Sequence, residues 1–209
     1  MPQPVVYGAA YSVYVQALRL TLWAKGVAYD LVEVDAWTEG KQLEHLARHP
    51  FGRIPAFRHG ALQLHETAAI CRYVDEAWPG PALQPATAAA RAKMAQAIAI
   101  LDNYGYRALV WDTYVQEVGA PERGRPSDPK RLAEGRRQAP ICLRSLEALA
   151  DGPWLAGDEL SLADCHAAPM FNLFLKAPGG LQMMRAAPRL TAWWDRASAA
   201  FLPAGVMTP

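Results

Sequence analysis

The sequence predicts an α/β domain followed by an all-helical domain, and three observations support this fold class. Strand and helix patterns alternate over about the first 80 residues, a proline-rich stretch then interrupts the chain, and only helical patterns follow it. The chain of 209 residues, 52% of them hydrophobic, is long enough for two small domains. We therefore divide it into a first domain at 1–77, a linker at 78–85 and a helical domain at 86–209.

The first domain begins with a predicted βαβ unit. A short apolar strand at 5–9 leads into a loop, and apolar residues then recur at helical spacing from Ser12 onward. Gly26 is well placed to end this helix. The alternating segment 29–35 predicts a second strand, and the helical crossover makes the two strands parallel.

A helix, a hairpin and another helix complete this domain. Residues 38–48 favour a helix that ends before Pro50, because the residue before a proline avoids the helical region. Strands at 54–57 and 62–64 flank a short connection with a glycine, which predicts an antiparallel hairpin. The segment 66–77 has the apolar face of a helix. The order βαβ then ββα predicts a four-stranded mixed sheet covered by helices.

The second domain is predicted to contain helices alone. The linker before it contains three prolines and a glycine, and a charged, turn-rich break interrupts the helices at 119–130. The predicted helices lie at 86–118, 131–150, 161–176 and 188–201. Ser161 and Asp164 have the spacing of a capping box at the start of the third of these helices.

Composition and charge exclude several classes of function. The 21 basic and 20 acidic side chains give a net charge of +1, which provides no field for nucleic acid or an anionic membrane. Three cysteines without a CxxC pair predict neither a disulfide framework nor a metal site. The N-terminus has no basic region typical of a signal peptide, and no apolar run reaches the length of a membrane span. The sequence therefore predicts a soluble cytoplasmic protein.

Four segments in this setting resemble cytosolic glutathione transferases. They are VVYGAAYS at 5–12, HPFGRIPAF at 49–57, LHETAAICRYV at 64–74 and GDELSLAD at 157–164. The resemblance covers both domains, and the serine-type, phi or theta-like bacterial branches are the most similar. It implies a thioredoxin-like first domain that binds glutathione and a homodimeric detoxification enzyme without a metal. Such an enzyme joins the glutathione thiolate to a hydrophobic electrophile.

The resemblance gives Ser12 the catalytic role, because a hydroxyl at the start of a helix can donate to a thiolate that the helix N-terminus also stabilises. A free thiol has a pKa of about 8.5, and lowering it by about two units makes the thiolate the major form at pH 7. A plain N-cap is the structural alternative for Ser12. Tyr7 is the rival hydroxyl, since tyrosine-type relatives keep theirs in the first strand, although a packed strand aromatic fits Tyr7 better.

The resemblance also implies the residues that bind glutathione, which are Lys41, Arg53, Ile54, Pro55, Glu66 and Thr67. A cis peptide before Pro55 would let the Ile54 backbone pair with the extended tripeptide. The helix start at Glu66 and Thr67 would hold the γ-glutamyl end, whose carboxylate suits free N–H groups and whose ammonium suits a carboxylate. Lys41 and Arg53 are the nearest matches to the pocket for the glycine carboxylate, and Lys41 can equally be a solvated surface charge.

The electrophile pocket is expected between the domains, with Tyr11, Tyr104 and Tyr106 in its lining. Helical spacing of i,i+3 or i,i+4 would place some aromatics of the first long helix on one face, and core packing is the alternative role for them. His49 takes the place of the family's usual asparagine. Phe51 lies where some relatives project an aromatic into the partner subunit, and a role within the monomer is equally allowed.

Two alternatives to conjugation remain open at the level of sequence. The same thiolate can serve a peroxidase, an isomerase or a dehalogenase. The chain can also be a non-catalytic binding module with a transferase-like fold, although a pure scaffold would not need Ser12, Pro55 and Glu66 together. The first 70 residues contain no cysteine, which disfavours the mixed-disulfide chemistry of cysteine-type relatives.

Overall fold

A computed structural model of the chain describes residues 2–34 and 42–207 and divides them into two compact units. The first unit ends at Ala82 and also includes the tail from Ala204, and the second unit is Leu83–Pro203. The guanidinium of Arg19 holds this tail, since its Nη1 donates to the carbonyl oxygen of Val206 at 3.2 Å. The division by sequence had placed the tail with the helical half of the chain.

The first unit contains four strands and three helices within the described residues. In chain order they are β1 Val5–Tyr7, α1 Val13–Ala24, β2 Asp30–Val32, α2 Gln42–Leu46, β3 Ala56–His59, β4 Leu62–His65 and α3 Thr67–Ala77. The strand order is β2-β1-β3-β4, with β1 parallel to β2 and antiparallel to β3, and β3 antiparallel to β4. The predicted mixed sheet of four strands is therefore confirmed.

The two faces of the sheet bury different residues, because successive side chains of a strand point to opposite faces. Val6 and Phe57 pair across β1 and β3, and the Phe57 ring contacts Tyr73 of α3 with the ring centroids 6.1 Å apart. This face is covered by α3, which packs on α1. Tyr7 and Ala56 pair on the opposite face, where the Arg48 guanidinium lies 4.6 Å from the centre of the Tyr7 ring.

Glycines end two elements of this unit much as the sequence predicts. Gly26 follows α1 with a φ of 65°, and Gly60 turns the hairpin with a φ of 59°. Both angles lie in the left-handed region that favours glycine. The hairpin is tighter than predicted, because Arg58 and His59 continue β3 and pair with β4. Of the helix predicted at 38–48, residues 42–46 form α2 and residues 47–48 lie in a turn, while 38–41 lie outside the described residues.

The regular elements of the second unit are helices, joined by short loops, within its described residues. It contains α4 Ala88–Ile100, a π-helix at Leu101–Gly119, α5 Ala120–Glu122, α6 Pro129–Leu149, α7 Leu162–Phe174, α8 Pro178–Met184 and α9 Pro188–Phe201, after which Leu202–Ala204 forms a 3₁₀ turn. The sequence did not predict α8, since its first three residues are a proline and two glycines, which are poor helix formers. No helix in either described range is long and apolar enough to cross a membrane.

The π-helical winding is the main departure from the predicted second domain. Thr113 donates through its Oγ1 to the carbonyl of Ala108 at 2.8 Å, and Gln116 donates through its Nε2 to the carbonyl of Trp111 at 3.0 Å. Both carbonyls lie five residues earlier, and so does the Val115 carbonyl that accepts from the backbone N–H of Ala120, which is the backbone spacing of a π-helix. The α-helical spacing predicted for this segment is therefore wrong.

The predicted capping box at the start of α7 is present and belongs to a buried network. Asp164 is completely buried, and its Oδ2 accepts from the backbone N–H of Ser161 at 2.8 Å and from the Ser161 hydroxyl at 2.7 Å. Its Oδ1 accepts from the N–H of Leu155 at 2.9 Å and from the indole N–H of Trp193 at 2.7 Å. One carboxylate thus joins α7, α9 and the loop before α7.

Candidate active site

Three segments singled out by sequence meet at one end of the strands in the first unit, where β1 and β4 end and β3 begins. Tyr7, Ala56 and His65 lie side by side in the register of β1, β3 and β4. The residues one step beyond this row are Gly8, Pro55 and Glu66. Because neighbouring strands lie about 4.8 Å apart, the first loop, the proline segment and the start of α3 form one continuous rim.

Gly8 shows how closely the first loop approaches the proline segment. A Cβ atom at this position would lie 2.5 Å from Cγ2 of Val15 and 3.3 Å from Cβ of Ile54. Only glycine therefore fits between α1 and the Ile54–Pro55 segment without displacing a neighbour. The peptide bond between Ile54 and Pro55 is cis, as the resemblance implied.

Ser12 lies at the rim as the N-cap residue of α1. Its backbone is extended, with φ −69° and ψ 127°, and its side chain makes no capping hydrogen bond to the helix. The loop before it is held by the side chain of the buried Gln16, whose Nε2 donates to the carbonyl of Ala10 at 3.1 Å. The Ser12 hydroxyl therefore stands at the positive end of a helix without serving as its cap.

Glu66 and Thr67 begin the second helix at this rim. Glu66 has a φ of 71° and is the only described residue other than glycine with a positive φ. Such a conformation is uncommon and costs about 1–3 kcal/mol, so it persists only where its surroundings impose it. The Glu66 side chain makes no capping hydrogen bond to α3, and Thr67 is buried as the first residue of the helix. The first N–H groups of α3 thus lie at the rim, next to a residue that carries a carboxylate.

The predicted cationic residues are only partly described. Arg53 precedes the cis peptide, and its carbonyl oxygen lies 2.6 Å from Nε2 of His45. Lys41 lies outside the described residues. Within the described parts of the chain, no group of three or more histidine, cysteine, aspartate or glutamate side chains is arranged to hold a metal ion.

Tyr7 points away from the face on which α1 and α3 lie. Its ring packs in a small cluster with Val5, Val34 and Ala56, below the Arg48 guanidinium. Its hydroxyl accepts a hydrogen bond from Nε of Arg58 at 3.1 Å. This environment is that of a packed strand aromatic, which was the alternative role given to Tyr7 from sequence.

The aromatic residues predicted for the electrophile pocket differ in exposure. Tyr11, beside Ser12, is 52% exposed, and Tyr104 on the π-helix is 64% exposed. Tyr106 is half-buried and contacts Trp111 edge to face, with the ring centroids 6.4 Å apart. These two rings are five residues apart, so the π-helical winding determines which aromatics are neighbours. Met170, Phe171, Phe174 and Trp193 are buried in the core of the second unit, as expected, and Trp194 is half-buried.

Comparison with known protein families identifies the family of this chain. The model of the glutathione S-transferase N-terminal domain matches residues 3–76, and the model of the C-terminal domain matches residues 105–200. The chain belongs to the glutathione S-transferase family. The two matches together cover most of both units described above.

Relatives in this family match nearly the whole chain. Glutathione S-transferase F10 of Arabidopsis thaliana is 32% identical over 183 residues, which are 86% of this chain and 85% of the relative. An apo structure of glutathione S-transferase III has a TM-score of 0.86 at 30% identity and matches 100% of this chain and 99% of its own. Glutathione S-transferase I from maize, in complex with an atrazine glutathione conjugate, has a TM-score of 0.83 at 29% identity and matches the same shares of the two chains. The Arabidopsis and maize relatives support neither the bacterial branch nor the serine type expected from sequence.

Sequence reasoning missed two features of this transferase fold. One is the fit of Gly8 against Ile54, which a sequence shows only as a glycine after a strand. The other is the group of imidazoles from His45, His49 and His65 beside the rim, with the rings of His49 and His65 centred 4.9 Å apart. Four of the five histidines of the chain lie between positions 45 and 65, and this clustering was the available signal.

Proposed function

We propose that this protein conjugates the thiolate of glutathione to hydrophobic electrophiles. The observation that carries the proposal is the convergence of two helix N-termini and a cis-proline segment at one rim of the first unit. Ser12 marks one helix start, Glu66 and Thr67 mark the other, and Pro55 lies between them in the sheet register. A structure similar to this chain holds a glutathione conjugate, which supports the same ligand class here.

Each end of glutathione finds complementary chemistry in this proposal. The γ-glutamyl carboxylate accepts hydrogen bonds from the free N–H groups of α3, and the ammonium pairs with the Glu66 carboxylate. The backbone of Ile54 pairs with the extended tripeptide beside Pro55. Arg53 and Lys41 attract the glycine carboxylate. The strained backbone of Glu66 supports this role, because uncommon conformations of this kind cluster at ligand-binding positions.

Ser12 activates the thiol in this proposal, as in serine-type members of the family. Its hydroxyl donates a hydrogen bond to the sulfur, and the N-terminus of α1 adds a positive potential. Both effects favour the thiolate over the thiol and so lower the pKa of bound glutathione. The thiolate then attacks an electrophilic carbon, a carbon–sulfur bond forms, and a leaving group such as halide departs with the bonding electrons.

The remaining parts of the proposal concern the second substrate and the assembly. Tyr11, Tyr104 and Tyr106 supply aromatic surface for the electrophile, which is supported by the exposure of Tyr11 and Tyr104. Phe51 is 72% exposed, an unusual state for phenylalanine, and we propose that it contacts a second subunit of a homodimer. We also propose domain limits at 1–77, 78–85 and 86–209, a reaction that needs no metal, and a cytoplasmic location.

Calorimetric titration with glutathione tests the proposal first. We expect a single site per chain with binding near neutral pH, and the absence of binding would refute the enzyme hypothesis. Turnover is then measured with an activated aryl chloride, an organic hydroperoxide and a haloalkanoic acid in parallel. Conjugation of the aryl chloride is the expected main activity. Glutathione binding with peroxide reduction alone would identify a peroxidase, and binding without any turnover would identify a binding module.

A further inference from the structure

A cluster of three imidazoles lies on the opposite face of the sheet from α1, directly beside the rim. His65 pairs with Ala56 in the register of β3 and β4, so its side chain shares the face of Tyr7. The His49 ring is centred 4.9 Å from the His65 ring and 6.2 Å from the His45 ring. The next residue after His65 is Glu66. The cluster therefore begins at α2 and ends at the helix start proposed for the γ-glutamyl end.

His45 links this cluster to the other end of the proposed glutathione site. Its Nε2 lies 2.6 Å from the carbonyl oxygen of Arg53, and a carbonyl only accepts hydrogen bonds, so Nε2 carries a proton. The Nδ1 atom of His45 is buried without a hydrogen-bond partner among the described residues. His45 thus fixes the backbone of Arg53 just before the cis-proline segment.

His49 occupies the middle of the cluster and is almost inaccessible to solvent. Its residue exposure is 2%, and its Nδ1 is also buried without a partner in the described part of the chain. The titratable and charged groups that act on it are His45 from α2, Arg53 from the loop before β3, His65 from β4, and Glu66 at the start of α3. Among these described groups, only the Glu66 carboxylate favours a positive charge on the His49 ring.

We propose that His49 is a positioning residue of the glutathione site: while neutral it keeps Arg53 and Glu66 in place, and its protonation releases the tripeptide. This inference rests on the proposed function. A protonated His49 would be a buried positive charge between two imidazoles and near the Arg53 guanidinium. Burial and the repulsion from Arg53 would both favour its movement towards solvent. Such a movement displaces the His65 ring, which contacts the His49 ring at an interplanar angle of 43°, and loosens the strained Glu66 backbone beside it.

Electrostatics favour the neutral form of His49 near neutral pH. Burial lowers the pKa of the His49 imidazole, His65 lowers it further, and Glu66 opposes them in part. The folded protein therefore binds its proton on His49 less readily than the unfolded chain does. The contribution of neutral His49 to the free energy of unfolding is fully present above the ordinary histidine pKa of about 6.5, and it is lost as the pH falls from there towards the lowered pKa of the folded state. Glutathione binding should weaken at still lower pH, once the folded protein itself takes up the proton below the lowered pKa of His49, because binding requires the neutral form.

The test measures the affinity for S-methylglutathione by calorimetry between about pH 5 and pH 8. The methyl group removes the thiol from the titration, so any pH dependence in this range comes from the protein. We expect a constant dissociation constant at the upper end and a rise of up to tenfold per pH unit at the lower end. Binding in that lower range should release close to one proton, measured in two buffers with different ionisation enthalpies.

Variants assign the linked proton to one ring. His49→Asn removes the titrating group but keeps a polar side chain, and we expect it to abolish both the slope and the proton release. His49→Gln serves the same purpose if the asparagine variant does not fold. His59→Asn is the matched control, since His59 belongs to the same unit but bonds Tyr73 through its Nδ1 at 2.7 Å, outside the cluster. This control should keep the full slope.

The outcomes separate the two proposals. Absence of binding of S-methylglutathione to the unmodified protein at every pH refutes the proposed function itself. Binding without proton release in the acid range overturns the role of His49. A slope that survives His49→Asn but disappears in His65→Asn also overturns it, because the linked proton would then belong to His65.

Discussion

Replacement of Ser12 by alanine separates a catalytic hydroxyl from a structural cap. A serine that caps a helix contributes about 0.5–2 kcal/mol to stability, but the Ser12 side chain makes no capping bond to α1. We therefore expect Ser12→Ala to change the free energy of unfolding by less than about 0.5 kcal/mol. The N–H groups at the start of α1 are unaffected, so part of the stabilisation of the thiolate remains.

The effect on the bound thiol follows from the strength of a charged hydrogen bond. A bond to an ionised acceptor contributes about 1.5–3 kcal/mol, and one pKa unit corresponds to about 1.4 kcal/mol. Loss of the Ser12 hydroxyl should therefore raise the pKa of bound glutathione by about 1–2 units. From a starting value of about 6.5, the thiolate fraction at pH 7 falls roughly 3- to 25-fold, and the rate of conjugation should fall with it.

Ultraviolet absorbance of the thiolate in the complex, titrated against pH, measures the shift directly, and urea unfolding measures stability. Ser161→Ala is the matched control, because Ser161 belongs to the capping box of α7 and should cost about 1 kcal/mol without moving the thiol pKa. A Ser12→Ala variant that unfolds more easily by 1 kcal/mol or more and keeps an unchanged thiol pKa would refute this reasoning.

Three further substitutions test the fold that supports the site. Asp164→Ala should lower the free energy of unfolding in urea by about 3–5 kcal/mol, because it leaves the buried N–H groups of Leu155, Ser161 and Trp193 without their acceptor. The control, Asp158→Ala at an exposed position, should change it by less than about 0.5 kcal/mol. Lys25→Met should cost about 3–5 kcal/mol, because the ammonium faces Asp75 at 3.1 Å and both side chains are buried. The control is Arg72→Met in the exposed Arg72–Glu76 pair, which should have a small effect. An equally small effect of both substitutions would contradict the prediction. Gly8→Ala should lower the free energy of unfolding by about 1–3 kcal/mol and raise the KM for glutathione, because the new Cβ would overlap Val15 and approach Ile54. An unchanged KM and an unchanged stability would contradict this prediction.

The first unit was predictable because its signals are local and agree with each other. The alternation of strand residues, Gly26 after α1 and the glycine of the hairpin each specify an element within a few residues, and together they specify the sheet. The capping box of α7 was equally visible, since Ser161 and Asp164 satisfy it within one helical turn. The prediction failed where the local pattern admits more than one winding, as in the π-helix, or where poor helix formers begin a helix, as in α8.

The candidate site was predictable only as a set of residues and not as an arrangement. Ser12, Pro55 and Glu66 came from motifs, but their common rim follows from the register of β1, β3 and β4. His45 had no motif, and its contact with the Arg53 carbonyl depends on how α2 lies over the sheet. The sequence left two roles open for Tyr7, a catalytic hydroxyl and a packed strand aromatic. In the structure its hydroxyl accepts a hydrogen bond from Arg58 on the face of the sheet opposite α1.

The sequence by itself determined the class of fold, the order of the elements and the residue types that suit a zwitterionic thiol peptide, because these depend on periodicity and on motifs a few residues long. Only the tertiary structure decided which of those residues meet. Strand register brings together positions about 50 residues apart, and burial among neighbours lowers the pKa of a ring such as His49. Neither property is encoded in a local pattern, since both arise from packing between segments that are distant along the chain.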